Sequence, residues 1–263
     1  MTIQITIIRI DGYGQWTLGL GSDREAALQM LQAKMYYDLQ RLFSEHNCLV
    51  YPNRFDEYFV ISSGLSLQKH LEIQTELGKL HSALKLSMAI GAGRTPFEAN
   101  LRAYSARKQR LALAKRRRIF GKLMPCRYIC NKNAIKFKNN IVQIMHIDVN
   151  DSAQLGSRLS PYEITMLVSK IGLLLSQKFV KNGALTFFIG GDNFMVISNG
   201  TSKQAARKII QMVSLDTGIQ LNCGIGIART GRKAAQAATK ALDTIRDMRN
   251  SGNFLPFYEV NCL

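Results

Sequence analysis

The chain has 263 residues, room for two domains of about 130 residues each. With 46% hydrophobic and 20% charged residues it reads as a packed globular protein, which excludes disorder throughout. The formal net charge of +17 is concentrated in one stretch. Between Ala99 and His146 there is no Asp or Glu but thirteen Lys and Arg; the remainder holds 22 basic against 18 acidic residues. The basic segment 102–138 reads first as a solvated helix and connector, and a grip on RNA or polyphosphate backbone is the alternative. No apolar run approaches the roughly 18–20 residues a membrane span needs. The opening Met1-Thr2-Ile3-Gln4-Ile5-Thr6 lacks a basic region leading to a cleavage site, so a cytoplasmic location is expected. Five scattered cysteines (Cys48, Cys126, Cys130, Cys223, Cys262) show no zinc-ligand spacing.

In chain order, an apolar β-rich run ends at Asp11. Ser22…Glu25 reads as a capping box opening a helix whose Leu28, Leu31, Met35, Leu39 and Leu42 recur at helical spacing. Cys48–Tyr51 and Tyr58–Ser62 form a predicted hairpin around Asp56, followed by a helix over 67–82, a strand over 85–91 and another helix. The order then repeats. A β-rich run ends at Asp148, and Ser160…Glu163 with Pro161 opens a helix. Strands over 184–189 and 194–198 flank Gly190-Gly191-Asp192-Asn193. A helix over 202–213, a strand over 219–226, a further helix and a terminal strand over 254–260 complete it.

Three landmarks support a duplication. Ile7-Ile8-Arg9-Ile10-Asp11 matches Ile144-Met145-His146-Ile147-Asp148 at 137 positions, and Asp56 matches Asp192 at 136. Ile90-Gly91-Ala92-Gly93-Arg94-Thr95 matches Ile225-Gly226-Ile227-Ala228-Arg229-Thr230 at 135. The expected fold is α+β, a tandem duplication of two ferredoxin-like βαββαβ domains. Residues 1–100 form the first core, 101–140 a basic helix and connector, and 141–263 the second domain.

In such a sheet the aspartate ending the first strand arrives beside the hairpin entering the third. Asp11 with Asp56, and Asp148 with Asp192, are therefore expected to meet at one rim of each sheet. Two carboxylates that close repel unless a cation sits between them, and Mg²⁺ takes one or two carboxylates and completes its shell with water and phosphate. A lone aspartate in such a place more often caps a strand or turn; two pairs in matching places favour the cation. The backbone amides of Val149, Asn150 and Asp151 are candidate phosphate donors before the next helix.

Ile147-Asp148 and Gly190-Gly191-Asp192-Asn193-Phe194 resemble the palm-type nucleotide enzymes, meaning class III nucleotidyl cyclases and GGDEF-domain diguanylate cyclases. A closer resemblance is to the archaeal GTP cyclohydrolase III family. It rests on Ile10-Asp11-Gly12-Tyr13-Gly14-Gln15-Trp16-Thr17, Arg54-Phe55-Asp56, Ser87-Met88-Ala89-Ile90-Gly91 and the run Gly183 to Met195. The resemblance implies two palm domains and hydrolytic opening of the GTP imidazole ring with the formyl group retained. Phosphate is released and a formylaminopyrimidine ribonucleotide monophosphate remains, a precursor of flavin and deazaflavin cofactors. It further implies Mg²⁺, a monovalent cation such as K⁺ as activator, and a homo-oligomer. Carried onto this chain, it places metal on Asp148 and Asp192, with Asp11 and Asp56 as the other pair. Substrate contacts fall on Val149, Asn150, Asp151, Gly190, Gly191, Asn193, Tyr13 and Trp16, although Trp16 also suits a place in the partial core. His146 reads as a satisfied sheet residue, and no general base stands out. A nucleotidyl cyclase using the same carboxylates is the enzymatic alternative. A nucleotide- or RNA-binding module using Arg116-Arg117-Arg118 is the non-enzymatic one.

Overall fold

The computed structural model describes residues 2–116, 127–130 and 140–263. The chain divides into two units: Ile3–Gly93 with Glu98–Asn140, and Met1–Thr2 with Arg94–Phe97 and Ile141–Leu263. Much of the basic segment, including Arg117 and Arg118, lies outside the described residues.

In the first unit, β1 (Ile3–Ile10), β2 (Leu49–Arg54), β3 (Glu57–Ile61), β4 (Leu86–Gly93) and β5 (Arg127–Cys130) form one sheet in the order β2-β3-β1-β4-β5. Strand β1 runs antiparallel to both β3 and β4, and only β5 joins in parallel. The connecting helices are α1 (Tyr13–Leu18), α2 (Arg24–Ser44), α3 (Leu67–Leu80) and α4 (Pro96–Arg116). Ile8, Ile10, Val60 and Met88 of the sheet pack with Met35, Leu39, Phe43 and Leu77 of α2 and α3. Burial of each such side chain contributes about 1.5–3 kcal/mol. The predicted Ser22–Glu25 capping box does not form. Helix α2 begins at Arg24 with Asp23 as an N-cap that makes no side-chain bond, so Ser22 stands one residue too early to cap it.

In the second unit, β6 (Val142–Val149), β7 (Leu185–Gly190), β8 (Asn193–Ile197), β9 (Leu221–Ala228) and β10 (Phe257–Cys262) are ordered β10-β9-β6-β8-β7. Its helices are α5 (Ser152–Gly156), α6 (Pro161–Val180), α7 (Lys203–Thr217) and α8 (Gly231–Asn250). The Ser160–Glu163 box does form, with Pro161 in the first turn and both reciprocal hydrogen bonds made. Met145, Ile147 and Val149 face the core built with α6 and α7. The alternate residues His146 and Asp148 face the other way, toward Thr239 and Arg246 of α8. Helix α8 lies so close to β9 that a Cβ on Gly224 or Gly226 would stand 2.2 or 2.1 Å from a helix carbonyl.

The strand registers correct one expectation. Ile3 pairs with Gly93 and Val142 with Ala228, while Gly93 and Ala228 hold the same place in their motifs. Ile3 therefore corresponds to Val142, Arg9 to Asp148, and Asp11 to Asn150; Asp11 does not correspond to Asp148. Side chains confirm this frame. Gln4 Nε2 donates to the carbonyls of Ser62 and Leu65, and Gln143 Nε2 to those of Ser198 and Thr201. The amide of Asp11 donates to Lys85, and that of Asn150 to Gln220. A two-residue slip was hidden in the sequence because both β-runs are equally apolar up to their first aspartate.

Candidate active site

In the second unit Asp148 sits inside the sheet opposite Asn222, only 4% exposed. One oxygen, Oδ2, accepts from Arg246 Nη2 at 2.7 Å. The other, Oδ1, is buried and has no hydrogen-bond partner among the described residues. A carboxylate oxygen in that state is costly unless a donor or cation meets it. Burial opposes the charge of Arg246, but its hydrogen bond to Asp148 and the charges of Asp148, Asp243 and Asp192 outweigh that and raise its pKa. Arg249, one turn on, donates to Asn150 Oδ1.

Asp192 lies in the turn between β7 and β8, which Gly190 and Gly191 make possible with φ of +113° and +61°. Its Oδ1 accepts from Asn193 Nδ2 at 2.8 Å. Asn193 Oδ1 lies 3.0 Å from His146 Nε2, and His146 Nδ1 lies 3.1 Å from Thr239 Oγ1. Because an amide oxygen only accepts, Nε2 carries the proton and Nδ1 accepts from the threonine hydroxyl. The chain Thr239, His146, Asn193, Asp192 is thus oriented in one direction. Burial lowers the His146 pKa against the opposing influence of Asn193 and Asp148, which suits the neutral ring this chain requires.

Charges are arranged differently in the first unit. Asp11 accepts from Ser87 Oγ at 2.8 Å and lies 4.0 Å from Arg107. Asp56 lies 3.7 Å from Arg9 and 3.5 Å from Arg54, and Glu57 lies 3.6 Å from Arg54 and 3.9 Å from Arg107. Asp11 and Asp56 do reach the same rim, since Ile10 N donates to Asp56 O. Three guanidiniums nevertheless balance three carboxylates there. That set does not fit a divalent cation, because the charge a cation would neutralise is already neutralised.

The donor chemistry at Asp148 does fit one, through the orphaned Oδ1. Among the described residues no group of three or more His, Cys, Asp or Glu side chains could hold a metal. Protein carboxylates there would supply only part of a shell that water and phosphate complete, as Mg²⁺ commonly accepts.

Of the other predicted residues, Asn150 is committed: its amide donates to Gln220 O at 2.9 Å and is not free for phosphate. Asp151 adopts a left-handed conformation before α5, a helix of five residues. Val149 is 3% exposed and packs in the core. Tyr13 and Trp16 pack against the first core, their ring centroids 6.2 Å apart, and Tyr13 Oη accepts from Gln32 at 2.7 Å. Sequence reasoning missed Arg9, Arg54, Arg107 and Arg246. Arg246 is 98 positions from Asp148, and no local signal joins them.

Each acid-bearing hairpin adjoins a cavity on its own unit. One of about 320 Å³ lies between α6 and the β7–β8 hairpin, lined by Gly172, Thr186, Phe188, Gly191 and Phe194 among others. The other, about 520 Å³, lies between α2 and the β2–β3 hairpin, with Gln32, Tyr36, Phe55 and Tyr58 in its lining. A larger cavity of about 820 Å³ beside α7 is lined by neither Asp148 nor Asp192.

Two α/β units with mainly antiparallel sheets, one carrying a buried carboxylate oxygen unmet among the described residues, describe a two-unit α/β protein. The family model for GTP cyclohydrolase III matches residues 3–257. A GTP cyclohydrolase III of Methanothermobacter thermautotrophicus is 35% identical over 249 residues, covering 93% of this chain and 94% of the relative. One of Methanobrevibacter smithii is 36% identical over 251 residues, covering 94% and 95%. This chain belongs to the GTP cyclohydrolase III family. Among solved structures, the active GGEEF domain of a diguanylate cyclase from Vibrio cholerae covers 56% of this chain and 88% of its own, at 14% identity and a TM-score of 0.37.

Proposed function

We propose that this chain is a GTP cyclohydrolase that opens the imidazole ring of GTP with the formyl group retained and releases the terminal phosphates as orthophosphate. Family membership over nearly the whole chain supports the reaction class. The structural observation that carries the site is the buried, unpartnered Oδ1 of Asp148. On this reading the two units are a tandem pair of ferredoxin-like palm domains, and Asp148 with Asp192 holds Mg²⁺. K⁺ activation and assembly into a homo-oligomer belong to the same proposal.

A bound Mg²⁺ would polarise phosphate oxygens and lower the pKa of an attached water. The residues of the chain do the rest. Arg246 fixes one Asp148 oxygen and, at 43% side-chain exposure, keeps a face for phosphate. The oriented chain from Thr239 through His146 and Asn193 holds the Asp192 carboxylate in one rotamer. Gly190 and Gly191 keep bulk away from the place where substrate meets the hairpin.

The test is incubation of the purified protein with GTP, Mg²⁺ and K⁺, with products identified by mass spectrometry. A formylaminopyrimidine monophosphate with orthophosphate is expected. A cyclic guanine nucleotide with pyrophosphate, or unchanged GTP, overturns the proposal.

A further inference from the structure

Helix α7 ends at Gly218, whose φ of +71° turns the chain back toward β9. One face of the helix, the first residues of β9 and the segment 254–257 leading into β10 enclose the cavity of about 820 Å³ between them. Pockets that take small molecules usually hold about 300–1,000 Å³. The walls are mainly apolar, with Ile210, Leu215, Ile219, Phe254 and Phe257 among them, and no Asp or Glu lines the cavity. Arg207 is the one charged residue of the lining. Its guanidinium stands over the Phe257 ring, with Cζ 5.5 Å from the centroid. The acids of α7 and β10 are engaged elsewhere, Asp216 with Lys178 at 3.0 Å and Glu259 with Lys203 at 3.7 Å. No carboxylate therefore pairs with Arg207 among the described residues. A ring fixes the place of a guanidinium without consuming its N–H donors, which remain free for a carboxylate or phosphate.

We infer that this cavity binds a small anion with an apolar ring body. The ring lodges between α7 and the segment 254–257, and the acidic group meets Arg207. The inference does not depend on the proposed reaction, because it uses none of the residues assigned to that site. Of the lining, Leu215 at 83% and Phe254 at 60% are the large apolar side chains that stand exposed. Two such residues fall well short of the about 800 Å² per partner that a stable protein interface covers. The occupant is thus a molecule that the cavity encloses, and its charge is chosen by the single guanidinium at the wall.

The reporter for the test is 8-anilinonaphthalene-1-sulfonate, a ring-bearing anion whose emission rises in apolar surroundings. Single-site saturation is expected. Three competitors share one ring system and differ in charge. The anions 1-naphthyl phosphate and 1-naphthoate are expected to displace the reporter at least about tenfold more tightly than uncharged 1-naphthol, and the tighter of the two identifies the acidic group. Arg207→Gln is expected to bring all three within about threefold. Gln211→Trp, which puts an indole where Gln211 lines the cavity, is expected to abolish reporter binding. Both residues are exposed, and unchanged thermal melting confirms that the variants fold. In amide NMR spectra, the shifts caused by 1-naphthyl phosphate are expected within 207–222 and 254–257. Absence of saturable binding overturns the inference, as does equal displacement by 1-naphthol or a charge preference that survives Arg207→Gln. Shifts centred on Gly190-Gly191-Asp192-Asn193 overturn it as well. So does a Gln211→Trp protein whose mass by light scattering is lower than the parent's, since a second copy then fills the cavity.

Discussion

Arg9 stands in the first sheet where Asp148 stands in the second, and each is paired across its own unit with the opposite charge. Arg9 lies 3.7 Å from the hairpin carboxylate Asp56, and Asp148 receives Arg246 from α8 at 2.7 Å. The exchange moves the guanidinium from the helix to the strand. One unit therefore carries its countercharge within the sheet, while in the other a strand carboxylate and a hairpin carboxylate both act on the charge of Arg246 from the helix.

This asymmetry sets the first prediction. Asp192→Asn and Asp148→Asn are expected to lower kcat by at least about 100-fold and to abolish Mn²⁺ binding followed by electron paramagnetic resonance. Asp56→Asn is expected to leave Mn²⁺ affinity within about threefold of the parent. Equal loss from Asp56→Asn and Asp192→Asn sinks the assignment of the cation to the second unit.

His146 is predicted to matter through Asp192. His146→Leu removes the donor that fixes Asn193, and Mn²⁺ affinity is expected to fall about tenfold, the scale of outer-shell partners at metal sites. His146→Gln keeps an N–H to offer and is expected to recover most of that loss. A leucine variant with parental Mn²⁺ affinity shows that the oriented chain is structural only.

His70 is predicted to give the fold an acid-sensitive window. It is fully buried between Thr6 Oγ1 and the Ser66 carbonyl, each 2.8 Å away, and burial lowers its pKa to about 4. Between about pH 6.5 and 4 the unfolded chain binds a proton that the folded chain does not. Stability is therefore full above that window and falls with pH inside it, by up to about 1.4 kcal/mol per pH unit from this residue. Urea unfolding from pH 7 to 4 measures it, and His70→Gln is expected to flatten the slope.

Close packing of α8 on β9 gives a fourth prediction. Gly226→Ala would place a methyl 2.1 Å from the Ala234 carbonyl, which only a shift of the helix relieves. A loss of about 1–3 kcal/mol is expected by thermal or urea melting. Because α8 carries Arg246, weaker Mn²⁺ binding is expected alongside; unchanged melting contradicts the packing.

Much of the fold was legible because its signals are local. The helix over α6 could be read from Ser160, Pro161 and Glu163, and the second hairpin from two glycines beside an aspartate. Register was not local. Ile7 to Asp11 and Ile144 to Asp148 look alike as strings, yet cross-strand pairs place Asp11 with Asn150. The acids of the site were legible for the same reason as the hairpins. Their arginine partners were not, because Arg107 and Arg246 reach them from helices distant in sequence. His146 could be read as a satisfied sheet residue, but its direction toward Asn193 needed coordinates.

Gln4 and Gln143 each tie their strand to the turn that follows the neighbouring strand, with the same donor and matching carbonyls. They act as fiducial marks. Counting from them, Arg9 and Asp148 differ by substitution at one fixed point, with no insertion or deletion between mark and residue. The same frame thus carries a cation in one sheet and an anion in the other, and alignments of the two halves pinned on the first aspartates set unlike positions side by side.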